Sequence, residues 1–419
     1  MDLLRFITAG SVDDGKSTLI GRLLYDTKSV LTDQMDAIER ASKTRNYDQQ
    51  SGAAVDLALL TDGLRSEREQ GITIDVAYKY FQTPTRKYIS IDAPGHIQYT
   101  RNMVTGASNA DLAIVLIDAR HGVIEQTRRH SLLVSMLGIK HVVVAVNKMD
   151  LVNYNELVFR NIELAFQSLA ENLTISNLII IPVSALNGDN MAEKSENMLW
   201  FSGPCVLEYL EKVDVQQNVG LAEARFPVQY VIRPQTAALP DYRGYAGKLS
   251  SGVLRKNDAV TVLPSGRSTQ IERIEFDEQE ILEAVAPQSV VLHLKDDVDI
   301  SRGDMIVLTT NQPTVGQDME ARICWMDDRK DLQVGNKYTL QHGAARVRCV
   351  IKAIHHKIDV NTYDQLDAPN GLVLNDVAQI LLRTATALPY DSYSQNRTNG
   401  AMILIDETSN ITVGACMIA

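Results

Sequence analysis

Short and nearly continuous apolar runs punctuate the first half of the chain, at residues 4–9, 88–91, 112–117, 142–146 and 178–183. Each run is rich in Val, Ile or Leu and is of strand length. A strand covered on both faces of a parallel sheet needs apolar side chains on both, which produces continuous rather than alternating runs. Longer mixed segments with helical spacing separate them, at residues 17–24, 126–137 and 157–169. This alternation of strand and helix predicts an α/β domain with a doubly wound, mostly parallel sheet over residues 1–213.

The texture changes near Val213. Residues 214–224 are polar and aperiodic and read as a linker. From Phe226 the period becomes two, which predicts Phe226, Val228, Tyr230 and Ile232 on one face of a strand. Residues 259–263 form another apolar run, closed by the turn signal Pro264-Ser265-Gly266, and residues 290–294 resemble it. A second change falls at 309–316. Beyond it Ala345, Val347, Cys349 and Ile351 alternate with Arg346, Arg348, Val350 and Lys352, the pattern of a half-buried strand with a basic outer face. Helical spacing is scarce after residue 220. The second half therefore predicts two all-β barrels, at 225–308 and 315–419.

The composition sets wider bounds. A chain of 419 residues exceeds one ordinary domain. The formal net charge of -11 argues against a protein held to nucleic acid by bulk charge. Cys205, Cys324, Cys349 and Cys416 share no metal-ligand spacing, as expected of free thiols in a reducing cytosol. No basic stretch followed by an apolar core opens the chain, and the longest apolar runs fall far short of a bilayer span. The expectation is a cytoplasmic protein without a membrane partner.

Four strand-end loops carry the candidate chemistry. Gly10-Ser11-Val12-Asp13-Asp14-Gly15-Lys16-Ser17, continued by Thr18, fits G-x-x-x-x-G-K-[ST] between a predicted strand and a predicted helix. Backbone N–H groups of such a loop cradle phosphate oxygens, Lys16 neutralises the β- and γ-phosphates, and Ser17 ligates Mg²⁺. Asp92-Ala93-Pro94-Gly95-His96 follows the run 88–91. There Asp92 can hold Mg²⁺ through water, Gly95 can offer its N–H to the γ-phosphate, and His96 is the candidate catalytic residue that aligns the attacking water. Asn147-Lys148-Met149-Asp150 ends the run 142–146. Asp150 can accept hydrogen bonds from guanine N1–H and its exocyclic amine, which adenine does not offer in that arrangement, while Lys148 covers the base. Ser184-Ala185-Leu186 can give a backbone N–H to guanine O6. Thr73, in Gly71-Ile72-Thr73-Ile74-Asp75, is the candidate Mg²⁺ ligand when the γ-phosphate is present. The charged stretch 62–70 beside it reads as a solvated helix or a partner contact. Together the loops specify a GTPase.

These residues resemble the translation-factor superfamily of GTPases, whose members place two β-barrels after the nucleotide domain. Within it the chain is similar to the GTPase subunit of the bacterial two-subunit sulfate adenylyltransferase. The likeness lies in residues 10–24, 71–81 (GITIDVAYKYF), 98–102 (QYTRN), 126–131 (QTRRHS), 242–247 (YRGYAG), 299–304 (DISRGD) and 409–415 (SNITVGA). Ser11 stands where translation factors typically carry His, and Asp14 follows Asp13. The resemblance implies a smaller ATP-using catalytic subunit as partner and GTP hydrolysis coupled to synthesis of adenosine 5′-phosphosulfate. Gly244-Tyr245-Ala246-Gly247-Lys248-Leu249 lacks the spacing and final Ser/Thr of a second phosphate loop. The rival expectation is a translation factor that delivers aminoacyl-tRNA.

Overall fold

The computed structural model describes residues 2–30, 33, 57–60, 73, 75–215, 223–234, 242–368 and 371–419. They fall into two compact units, Met1–Val215 with Val360–Tyr363, and Gln216–Asp359 with Asp364–Ala419.

The first unit is built on six strands, β1 (Asp2–Ala9), β2 (Ala77–Gln82), β3 (Arg86–Asp92), β4 (Leu112–Asp118), β5 (His141–Asn147) and β6 (Asn177–Pro182). Their order is β2-β3-β1-β4-β5-β6, with β2 antiparallel to β3 and every other neighbour parallel. The helices are α1 (Lys16–Asp26), α2 (Thr100–Ala107), α3 (Glu125–Met136), α4 (Glu156–Ala170) and α5 (Val206–Lys212). Every residue of β4 is buried, as is every residue of β5 after His141, which is why these strands read as unbroken apolar runs. On α4 the buried side chains Phe159, Ile162, Phe166 and Leu169 follow the helical period, and Asn155 caps the helix by accepting the Leu157 N–H at 2.9 Å. The strand order reverses about β1, so the carboxyl ends of β1, β3 and β4 flank a topological switch point, where a parallel sheet opens a crevice for ligands.

The second unit contains two larger antiparallel sheets, each over its own apolar core. One orders Arg225–Pro227, Met305–Leu308, Ala259–Leu263, Arg267–Phe276, Ser289–Leu294, Gly244–Lys248 and Tyr230–Ile232, and an isolated bridge from Arg225 to Ser251 brings its two sides together. The other closes completely, because Lys337–His342 pairs with both Ala401–Ile405 and Ala345–Ile358. Closure leaves no unpaired edge among the six strands of that ring.

The alternation over 345–352 holds. Cys349 and Ile351 are buried, whereas Arg346, Arg348 and Lys352 are exposed, with Arg348 paired to Glu407 at 3.1 Å. The expected single face of Phe226, Val228, Tyr230 and Ile232 does not hold. Phe226 and Val228 are fully buried, Ile232 is half-buried and Tyr230 is 65% exposed. The chain turns a corner here. Val228 N donates to Asp304 O and Gln229 N donates to Ala246 O, so one strand ends and another begins on a different neighbour. All four cysteines are buried and unbridged. No helix among the described residues is long and apolar enough to cross a membrane.

Candidate nucleotide site

The loop 10–18 leaves the carboxyl end of β1 and enters α1. Gly15 has φ +93°, and a Cβ there would lie 2.4 Å from Asn147 Nδ2, so the turn requires glycine. Asp14 Oδ2 accepts the Ser11 N–H at 2.5 Å and tightens the loop. Lys16 is buried, and its Nζ donates to the carbonyls of Gly10 (3.1 Å) and Ser11 (2.7 Å). Burial pushes the Lys16 ammonium down from its ordinary value, against the pull of Asp92, Asp14 and Asp13. Burial likewise raises Asp14, against the Ser11 N–H and Lys16. Val12, Ser17 and Thr18 are half-buried and Asp13 is exposed.

Asp92 ends β3 directly beside Thr8 of β1. Thr8 Oγ1 donates to Asp92 Oδ1 and Ser17 Oγ donates to Asp92 Oδ2, both at 3.0 Å. A hydroxyl and a carboxylate so placed form an oxygen donor set that suits a hard divalent cation. Ala93, Pro94 and Gly95 are buried. A Cβ on Gly95 would stand 2.5 Å from Lys16 Nζ and 2.6 Å from Gly10 O, so this loop packs hard against the first. On the other side Gly95 O accepts from Gln126 Nε2 of α3 at 3.0 Å. His96 is half-buried, and its Nδ1 accepts the Gln98 N–H at 3.3 Å. Thr73 is half-buried, and among the described residues no hydrogen bond joins it to Ser17 or Asp92. Gly71, Ile72 and Ile74 and the stretch 62–70 lie outside the described residues.

Asn147, at the end of β5, ties three loops together. Its Nδ2 donates to Asp14 O at 2.8 Å, and its Oδ1 accepts the Ala185 N–H at 3.0 Å. Lys148 adopts φ +64°, and its Nζ donates to Asp13 O and pairs with Asp118 Oδ2 at 3.0 Å. Met149 is fully buried and its N–H donates to Val183 O. Asp150 is half-buried, and its carboxylate makes no hydrogen bond among the described residues. Of the backbone donors in 184–186, Ser184 N–H goes to Asp189 O and Ala185 N–H to Asn147, which leaves that of Leu186.

Asp118 and Arg120, at the end of β4, are absent from the sequence reading. Asp118 is 3% exposed and accepts the Arg120 backbone N–H at 2.9 Å, its Nε at 3.0 Å and its Nη2 at 2.6 Å, besides Lys148. Burial alone would raise its carboxyl, but the Arg120 guanidinium and N–H and the Lys148 ammonium together hold it well below the usual carboxylate range. A lone Asp at the end of an apolar run was its only trace in the sequence.

The comparisons with known proteins bear on this arrangement. Residues 1–285 match the family described as elongation factor Tu GTP binding domain, and residues 318–419 match the GTP-eEF1A C-terminal domain-like family. Sulfate adenylyltransferase subunit 1 of Bacteroides thetaiotaomicron is 49% identical over 100% of this chain and 86% of its own length. The chain belongs to the sulfate adenylyltransferase subunit 1 family. Another relative from that family, in Laribacter hongkongensis, is 49% identical over 100% of this chain and 85% of its own length. The bifunctional enzyme CysN/CysC of Mycobacterium tuberculosis (strain ATCC 25618 / H37Rv) is 51% identical over 99% of this chain, which spans 67% of that protein. The chain's architecture is the one expected, an α/β GTPase domain followed by β-barrels.

Proposed function

We propose that this chain hydrolyses GTP and couples that hydrolysis to the formation of adenosine 5′-phosphosulfate and pyrophosphate from ATP and sulfate by a smaller ATP-using partner subunit in the cytoplasm. Identity of 49% to sulfate adenylyltransferase subunit 1 along the whole chain carries this reading. Its chemical support is the convergence of loops 10–18, 92–96, 147–150 and 184–186 at the carboxyl ends of β1, β3, β5 and β6, with Asn147 bonding the first, third and fourth and the Ser17–Asp92 hydrogen bond tying the second to the first. The residues fit Mg²⁺, with Ser17 and Thr73 as direct ligands and Asp92 through water. When bound, the ion would neutralise charge on the β- and γ-phosphate oxygens.

In this reading the P-loop amides surround the β-phosphate. Lys16 exchanges the Gly10 and Ser11 carbonyls for phosphate oxygens. Asp150 and the Leu186 N–H select guanine. His96 aligns a water opposite the leaving oxygen, so that the P–O bond to GDP breaks as the new one forms. Three domains, 1–213, 225–308 and 315–419, serve this work; two sheets with separate cores support the division of the second half. A translation factor carrying aminoacyl-tRNA is less well supported, given the full-length similarity to sulfate adenylyltransferase subunits. The experiment mixes the chain with a candidate small subunit, ATP and sulfate, and follows phosphate release from GTP together with phosphosulfate. GTP turnover and product yield should rise together; if they stay independent in every combination, the coupling does not exist.

A further inference from the structure

Gln126 and His130 lie four residues apart on α3 and therefore share a face. They belong to the segment 126–131, which neither the phosphate nor the base chemistry above employs. Gln126 Nε2 stands 3.0 Å from Gly95 O and 3.1 Å from His130 Nε2. An amide nitrogen can only donate, so Gln126 is the donor in both contacts. Turning the amide over would set Oε1 against the Gly95 carbonyl, acceptor against acceptor. His130 therefore accepts at Nε2 and carries its proton on Nδ1.

That Nδ1–H is buried, in a ring only 2% exposed, and has no hydrogen-bond partner among the described residues. Burial, with the charges of Lys16 and Arg129, pushes the ring's pKa down to about 3, so the imidazole is neutral. A leucine would fill the space without stranding a donor. A fold that tolerates an orphaned buried N–H usually does so for what the group supplies elsewhere. Here it supplies the acceptor that locks the Gln126 amide in one orientation. The far side of Gly95 offers little slack, since there is not room there even for a Cβ, which would stand 2.5 Å from Lys16 Nζ and 2.6 Å from Gly10 O. Gly95 is thus gripped between the P-loop and Gln126, and the gripped carbonyl belongs to the peptide bond that begins His96.

We propose that Gln126, oriented by His130, is a positioning residue that fixes the Gly95–His96 peptide and thereby aims the His96 imidazole for the hydrolytic step. The inference rests on the GTPase reading above. Gln126 and His130 touch no nucleotide in this scheme, so they act on the rate of the chemical step and not on affinity. A small displacement of an aligning group is enough to slow a reaction substantially.

The test uses the full chain with Gln126→Met, which keeps length and loses both donors, and Gln126→Glu, which is isosteric and loses them too. GTP affinity and single-turnover hydrolysis are measured in the wild-type and His96→Ala backgrounds. Both variants should hydrolyse GTP about tenfold more slowly with affinity within about twofold of wild type, and should cause no further slowing in His96→Ala. His130→Leu should slow hydrolysis by about threefold, and not at all once Gln126 is Met. A wild-type rate in both Gln126 variants overturns the proposal. So does slowing that persists undiminished in the His96→Ala background, or a loss that lies in affinity. Should Gln126→Met melt below the assay temperature, Gln126→Glu makes the same comparison. Failure of the GTPase reading looks different, because the wild-type chain would then neither bind nor turn over GTP.

Discussion

At the scale of single residues the proposed site would divide into groups that hold the nucleotide and groups that act on it. Asp150 presents a carboxylate with no hydrogen bond among the described residues, in the turn Met149–Val152 that follows β5. Replacing Asp150 with Asn swaps an acceptor for a donor and should turn preference from GTP to XTP, at a cost to GTP binding on the order of 1.5–3 kcal/mol or more. Competition binding with the two nucleotides measures it, and equal GTP affinity in the variant would remove Asp150 from the base site. Lys16 already donates to two carbonyls of its own loop, so in the proposed site a phosphate would have only to replace them. Lys16→Ala should weaken nucleotide binding. His96→Ala should leave affinity nearly intact and slow single-turnover hydrolysis by roughly 10²–10⁴-fold.

At the scale of elements, what the sequence revealed follows how each element is buried. The strands β4 and β5 were legible because both faces are covered, so every position is apolar. The strand β2 was not recognised, because Tyr78 and Tyr80 on this edge strand are exposed while only Phe81 is buried, which leaves neither a continuous run nor a clean alternation. The helix α2, Thr-Arg-Asn-Met-Val-Thr-Gly-Ala, is short and holds a glycine and three β-branched residues, so propensity gave little sign of it. The loops 10–18, 92–96, 147–150 and 184–186 stood out in the sequence because each sets particular residue types at fixed spacing at the end of a strand. Asp118 was hidden because Lys148 reaches it only through the register of β4 beside β5, while its local partner Arg120 forms no recognisable motif with it. Its depressed pKa has a definite sign. A carboxyl held below its ordinary value of 3.8 stabilises the fold at pH above that value, and the stabilisation fades as the pH falls through and below it. Asp118→Asn should therefore lower stability at pH 7 by about 1–3 kcal/mol, and the deficit should shrink as wild type is titrated toward pH 3. Urea unfolding at a series of pH values reads this directly; a deficit independent of pH would mean that the charge contributes nothing.

At the scale of the whole chain, the second unit is held by a buried guanidinium. Arg225 is 0% exposed. It bonds Asp391 through Nε at 2.9 Å and Nη2 at 3.0 Å, Glu223 through Nη2 at 2.5 Å, and the carbonyls of Ala224 and Asn311 through Nη1 at 3.1 and 3.0 Å. One side chain thereby joins the first strand of one barrel, the connection between the barrels and the second barrel. Arg225→Met leaves the Asp391 carboxylate, 9% exposed, without its cationic partner, the Asn399 amide alone still donating to it among the described residues, and should cost about 3–5 kcal/mol. Calorimetry should show the barrels of the variant separating into two transitions where wild type gives one, and Arg225→Met with Asp391→Leu should recover much of the loss. A variant that melts in one step at the wild-type temperature would show the two barrels to be independent of this contact. The same knot constrains how such a chain can be recombined. A chimera that takes one barrel from a homologue inherits half of a charge set, so Glu223, Arg225 and Asp391 must be exchanged together, and the two barrels behave in inheritance as a single module.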